Sequence, residues 1–156
     1  PCYNQAMHIQ VDQSGKIENT RVPTVLAFSN HTAYTIFIPA TVKRTCVHFL
    51  RARYRQPTSL YFRIFAAELF FLIEEWVKQL DVMLIDTEYQ GKEGLIKALL
   101  LSHLERHRLD TTHLHIHFGY VGKRSPAHEV AIATFRGQRP PDRVIGEEEL
   151  LRLLGK

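Results

Sequence analysis

Residues 82–89 read Val82-Met83-Leu84-Ile85-Asp86-Thr87-Glu88-Tyr89, and this stretch decides the fold. An unbroken apolar run without polar alternation describes a strand buried on both faces, the kind found in sheets covered by helices. The run stops on Asp86, and Glu88 follows two positions later, on the same side of an extended chain. A surface turn accounts for one acid. Two acids on one side of a buried strand's end are either a coincidence or half of a cation site, and the rest of the chain has to decide. Helical patterns flank the run. Before it, LYFRIFAAELFFLIEEWVKQL (60–80) carries apolar residues almost all round, as in a helix sandwiched between layers, with Thr58 or Ser59 as its N-cap. After it, KEGLIKALLLSHLERH (92–107) is amphipathic with a wide apolar stripe.

Outward from this centre the elements alternate. MHIQV (7–11) is a strand leading into a turn at Gln13-Ser14-Gly15, TVLAFSN (24–30) a second, and AYTIFIPA (33–40) a third that Pro39 ends. Their short connections favour an antiparallel meander. TVKRTCVHFLRARY (41–54) reads as a basic helix stopping before Pro57, and THLHIHFGYV (112–121) as a fifth strand. SPAHEVAIATFRG (125–137) places Ser125 as N-cap, Pro126 at the first helical position and Gly137 as the stop. The tail from Gln138 holds RPPDRVI and a last short helix, EEELLRLL. The order is β-β-β-α-β-α-β-α with a basic helical insertion after strand three. Strands separated by helices run parallel through right-handed crossovers. The expected architecture is α/β: a mixed five-stranded sheet with helices on both faces, strands one and four adjacent and parallel. A single domain spans 1–156, its core at about 7–137 and a C-terminal extension at 138–156.

A chain of 156 residues, 45% apolar and 23% charged, suits one soluble globular domain. Its longest apolar run, IFAAELFFLI, is interrupted by charge and too short to cross a bilayer, so no membrane partner is expected. PCYNQAMHIQ lacks the basic head and apolar centre of a secretory signal, and Cys2 and Cys46 make no disulfide framework. A cytoplasmic location is the expectation. Net charge is +4. Lys43, Arg44, Arg51, Arg53 and Arg55 crowd one stretch without an acid, while Lys123, Arg124, Arg136, Arg139 and Arg143 form a second concentration. Either cluster suits a phosphate backbone, DNA or RNA, or a solvated face.

The carboxylates carry the chemistry. Asp12 lies near the end of strand one and Asp86 at the end of strand four, and α/β sheets gather functional groups beyond the carboxyl ends of their strands. If the two strands are neighbours, their acids repel, and a divalent cation relieves the repulsion. Glu68 sits among Ile64, Phe65, Phe71 and Leu72 at helical spacing. A lone carboxylate in that setting costs several kcal/mol, roughly, unless it is ligated or paired with a structural cation. Asp12, Glu68, Asp86 and Glu88 are therefore the candidate metal ligands. Mg²⁺ is the natural guest, a hard cation that takes a few carboxylates and keeps waters for substrate phosphates, with Mn²⁺ its alternative. Lys123 and Arg124, just before a helix cap, are placed to contact a phosphate near the metal. Tyr89 and Gln90 follow the acids and could reach substrate. His113, His115 and His117 share one strand face, a spacing that can bind a transition metal but is more often the polar face of an edge or half-exposed strand. Walker, H-E-x-x-H, G-x-G-x-x-G and G-x-S-x-G patterns are absent.

This element order, with Asp on the first strand, Glu on the long helix and Asp ending the fourth strand, resembles the ribonuclease H-like superfamily. That superfamily includes ribonucleases H, Holliday-junction resolvases, transposases and the nuclease domain of Argonaute proteins. The resemblance spans about 7–137 in topology and three acids in sequence. It implies catalytic roles for Asp12, Glu68 and Asp86, and a fourth ligand from the last core helix or just before it, where His128 and Glu129 stand and His128 is favoured. VDQSGK is also similar to the DESG-type opening of a nuclease-like family in the superfamily, with Gln13 where that family has an acid. What the resemblance implies is a divalent-metal-dependent nuclease, with the basic insertion holding the strand. The alternative is a non-catalytic nucleic-acid-binding or protein-interaction domain of the same fold. Oligomeric state is open, because a long apolar helix fits a dimer interface and a sandwiched position alike.

Overall fold

The computed structural model describes residues 6–56 and 58–155; Cys2 and Pro57 fall outside them. Three strands open the chain, β1 (Met7–Ser14), β2 (Thr24–Ser29) and β3 (Ala33–Ile38). Helices α1 (Ala40–Arg53) and α2 (Thr58–Ile73) follow, then β4 (Leu80–Asp86) and α3 (Glu93–Arg106). β5 (His115–Gly119), α4 (Pro126–Phe135), β6 (Arg143–Val144) and α5 (Glu147–Leu154) complete the chain. The mixed sheet has the order β5-β4-β1-β2-β3-β6. β1, β2 and β3 pair antiparallel as a meander, and β1 lies beside β4 in parallel, as the crossover rule requires.

The sheet has six strands where the sequence suggests five. The extra one, β6, is a two-residue parallel pairing of Arg143 and Val144 with Ile36 and Phe37 on the outer edge. Two residues after a Pro-Pro pair carry no period to read. The long helix also ends earlier than its pattern suggests. α2 stops at Ile73, Trp76 turns to pack edge-on against Phe28 and beside Tyr34, and a 3-10 turn at Val77–Gln79 leads into β4. α2 begins at Thr58 itself, so Thr58 and Ser59, the expected N-caps, both lie within its first turn.

Strand alternation sorts the core onto two faces. Leu26 and Phe28 join Val11, Ile9 and the α2 side chains in one large cluster, while Val25 and Ala27 point the other way onto Ala131 of α4. α2 has α3 and α5 packed on it, so its all-round apolar surface is covered. α4 packs on β1, β2 and β3. Val82 and Leu84 of β4 are half-buried rather than buried, so β4 is not covered on both faces as its unbroken apolar run suggests. Ser125 caps α4, accepting from the Ala127 N–H at 3.2 Å. Gly15 closes β1 with φ +80°, and a Cβ there would fall 2.2 Å from the Pro23 carbonyl and 2.6 Å from the Phe135 ring. Only glycine lets the end of β1 approach α4 this closely.

Candidate metal centre

The β1–β4 ladder ends at Val11 and Ile85, and the next residue on each strand is an acid, Asp12 and Asp86. One ligand oxygen from each of Asp12, Asp86 and Glu88 lies within 4.8 Å of the others. Trans oxygens around a Mg²⁺-sized ion sit about 4.2 Å apart, so the three can close on one ion with small side-chain movements. Asp12 is buried, and Asp86 and Glu88 are half-buried. All three line an open cleft of about 360 Å³ whose wall also includes Lys16, Tyr120, Lys123 and His128.

The backbone fixes each carboxylate. Asp12 Oδ1 accepts from the Gln13 N–H at 2.9 Å, and Asp86 Oδ1 accepts from the Val121 N–H at 2.9 Å. His128, in the first turn of α4, lies with Nδ1 2.7 Å from Asp12 Oδ2. Glu88 stands past the strand end, after the Thr87 N–H has bonded to the Gly119 carbonyl at 3.0 Å. Burial, then Asp86 and Asp12, push the Glu88 carboxyl up to about 7. Burial raises Asp86 too, against the Val121 hydrogen bond and His128, which pull it down. Lys16 and His128 pull these acids down, but not enough to offset burial and the neighbouring carboxylates. Their hard oxygens suit a divalent cation.

Glu68 departs from expectation. It is fully buried, but it stands outside the group of converging oxygens, and neither of its own has a hydrogen-bond partner among the described residues. Burial holds its carboxyl well above the usual carboxylate range, and the nearby Lys43 ammonium pulls it down. The third converging acid is thus Glu88, contributed by a turn, rather than Glu68 from the middle of a packed helix.

Lys43 also departs. Expected among the phosphate-facing cations, it is fully buried on the inner face of α1. Its Nζ donates to the Lys16 carbonyl (3.0 Å), the Asn19 carbonyl (2.8 Å) and Thr24 Oγ1 (2.9 Å). Thr24 Oγ1 in turn donates to the Gly15 carbonyl at 2.8 Å. Lys43 therefore clamps the β1–β2 connection, and burial lowers its ammonium to about 8.

The other predicted contacts divide. Lys123 lines the cleft, while Arg124 is exposed but outside its wall. Arg44, Arg51, Arg53 and Arg55 are exposed, with Arg44 donating to the Thr20 carbonyl at 2.8 Å. Arg51 lies eight positions from Lys43, about 12 Å along the axis of α1, and Arg51, Arg53 and Arg55 are not on the wall of the cleft that holds the acids. His128 faces the cleft and Glu129 is exposed beyond it. The Tyr89 hydroxyl is buried, its ring packed on Phe65, and Gln90 is exposed. His115 and His117 are exposed, and His113 bonds through Nε2 to the Val77 carbonyl at 2.8 Å. Lys16 and Tyr120 on the cleft wall escaped the sequence reading; Lys16 had a visible signal, directly following the S-G turn that ends the Asp12 strand.

Among the described residues no helix is long and apolar enough to cross a membrane. Compared with family models, curated proteins and solved structures, the chain has no significant match in any of the three.

Proposed function

We propose that the protein is a divalent-metal-dependent nuclease that cleaves phosphodiester bonds in DNA or RNA, using Mg²⁺ or Mn²⁺. The convergence of Asp12, Asp86 and Glu88 in an open cleft edged by Lys16 and Lys123 carries this reading. The parallel β1–β4 pair with an acid at each strand end supports the likeness to the ribonuclease H-like superfamily. Asp12, Asp86 and Glu88 would hold the cation. When bound, such an ion supplies positive charge to a phosphoryl oxygen and acidifies a water. His128, with Nδ1 engaged by Asp12, is left with Nε2 to take or give a proton at the substrate oxygens. Lys16 and Lys123 place positive charge where a scissile phosphate would sit beside the acids.

One observation favours the non-catalytic alternative: Glu68 has an internal cation, Lys43, as its charge neighbour. A domain needing no metal could balance part of its buried acid this way.

The deciding experiment is cleavage of labelled DNA, RNA and hybrid strands by wild type and Asp86→Asn. Asp86→Asn keeps size and removes the charge that holds the ion. Metal-dependent cleavage by wild type and a loss of at least about 100-fold in the variant, the scale of several kcal/mol of transition-state stabilisation, support the nuclease. Equal activity in the two proteins, or none on any strand with either ion, leaves the binding module ahead.

A further inference from the structure

We propose that Tyr120 is a stacking platform for an unpaired base, and that the strand this cleft takes is single-stranded nucleic acid. The inference builds on the nuclease reading only in placing the scissile phosphate at the acids.

Tyr120 is 86% exposed, the most exposed large apolar side chain among the described residues, and it lines the cleft that holds Asp12, Asp86 and Glu88. An aromatic ring carries more apolar area than most side chains, and here it stays in water although a packed core lies nearby. Its backbone is not loose. Gly119, just before it, pairs with Asp86 across the β4–β5 ladder, and the Val121 N–H, just after it, bonds to Asp86 Oδ1 at 2.9 Å. The ring is therefore attached between two residues held by Asp86, one through the strand ladder and one through its carboxylate. Gly122 supports it from beneath: a Cβ at 122 would come within 3.3 Å of Tyr120 Cε1, and φ there is +87°. The ring rests against a bare stretch of backbone and leaves the rest of its surface to solvent. Lys123 follows one residue on, and Lys16 lies on the cleft wall with it.

An exposed ring on a fixed backbone, beside cations that suit a phosphate, is the arrangement by which proteins hold single strands. Every base has a π-face, so the contact is indifferent to sequence. In a duplex those faces are stacked inward, and a ring at the mouth of the cleft meets only sugar and phosphate. Tyr120 thus favours a strand whose bases are free.

The test separates binding from cleavage by working in EDTA. Short fluorescein-labelled strands of DNA and of RNA, a duplex of equal length and an abasic strand of equal length are titrated with wild type, Tyr120→Ala, Tyr120→Phe and Tyr120→Trp. Base stacking contributes roughly 5- to 150-fold in affinity. Wild type should prefer the base-bearing single strand over the abasic strand and the duplex, and Tyr120→Ala should lose that preference while still binding the abasic strand as wild type does. Tyr120→Phe and Tyr120→Trp should keep it, and the indole added by Tyr120→Trp should be quenched by base-bearing strands and not by abasic ones. A Tyr120→Ala variant that binds all four probes as wild type does, or weakens all of them equally, overturns the proposal, as does a wild type that binds no strand. Base-dependent binding without cleavage by Mg²⁺ or Mn²⁺ would sink the nuclease reading and leave the stacking role standing. Cleavage with no dependence on Tyr120 would do the opposite.

Discussion

Glu88→Gln should stabilise the metal-free protein, and only at high pH. In the fold the Glu88 carboxyl is pushed up to about 7 from an ordinary 4.5, by burial and by Asp86 and Asp12. Because the folded value lies above the unfolded one, ionising Glu88 costs folding free energy. That cost is nearly absent at pH 4.5, grows as pH rises and is complete above pH 7. A shift of this size corresponds to about 3 kcal/mol at most. The carboxyl is half-buried and partly screened by solvent, which brings the expected figure to about 1–2 kcal/mol. For a domain of this length that is about 2–8 °C in Tm. Gln keeps the shape and removes the charge, so in EDTA at pH 8 the variant should melt that much higher than wild type. At pH 4.5 the two curves should nearly coincide. Added Mn²⁺ should reverse the order at pH 8, raising the wild-type Tm more than the variant's, because the charge that destabilises the empty site holds the ion. Differential scanning fluorimetry across the two pH values, with and without Mn²⁺, reads all of this. A variant that melts lower than wild type in EDTA at pH 8, or a difference independent of pH, would refute the picture of mutually repelling acids.

Metal affinity should itself depend on pH in the same window: between pH 5.5 and 7 Mn²⁺ binding should tighten about tenfold per unit as Glu88 gives up its proton, then level off, which calorimetry can follow. Lys43→Met should destabilise by about 3–5 kcal/mol, because it strips the two loop carbonyls and Thr24 of their donor and leaves Glu68 without its cation; thermal melts measure it, and adding Glu68→Gln should restore part of the loss. Replacing Arg51, Arg53 and Arg55 together with Gln should leave the melting curve unchanged and weaken strand binding; each lost phosphate contact should lower the salt slope by about 0.7 for a single strand. An unaltered slope would place the far end of α1 outside the interface.

The central architecture was legible because it rests on long periodic segments. An unbroken apolar run flanked by helical patterns forces β4 into the sheet interior, and the crossover rule then sets it parallel to β1. Asp12 and Asp86 converge for the same reason, as residues at the ends of neighbouring parallel strands. Composition puts Lys43 among the surface cations, but its helical period does not: Lys43, Cys46, Val47 and Leu50 lie on one helical face, and that face is the buried one. Its basic neighbours disguised it. The apolar setting of Glu68 is legible in the sequence, but spacing along one helix cannot say what lies across the packing interface, and there the Lys43 ammonium is a nearby charge without a direct bond. β6 and the exposure of Tyr120 depend on tertiary placement of short irregular segments, which leave no periodic trace.

The most direct test of the account is a Mn²⁺ titration of the EDTA-stripped protein, followed by electron paramagnetic resonance of the free ion, for wild type and Asp86→Asn at pH 8. Saturable binding to wild type, displaced by Mg²⁺ and lost or weakened at least tenfold in Asp86→Asn, is the predicted result. No binding at millimolar Mn²⁺, or equal binding by the two proteins, would contradict a metal centre built from Asp12, Asp86 and Glu88.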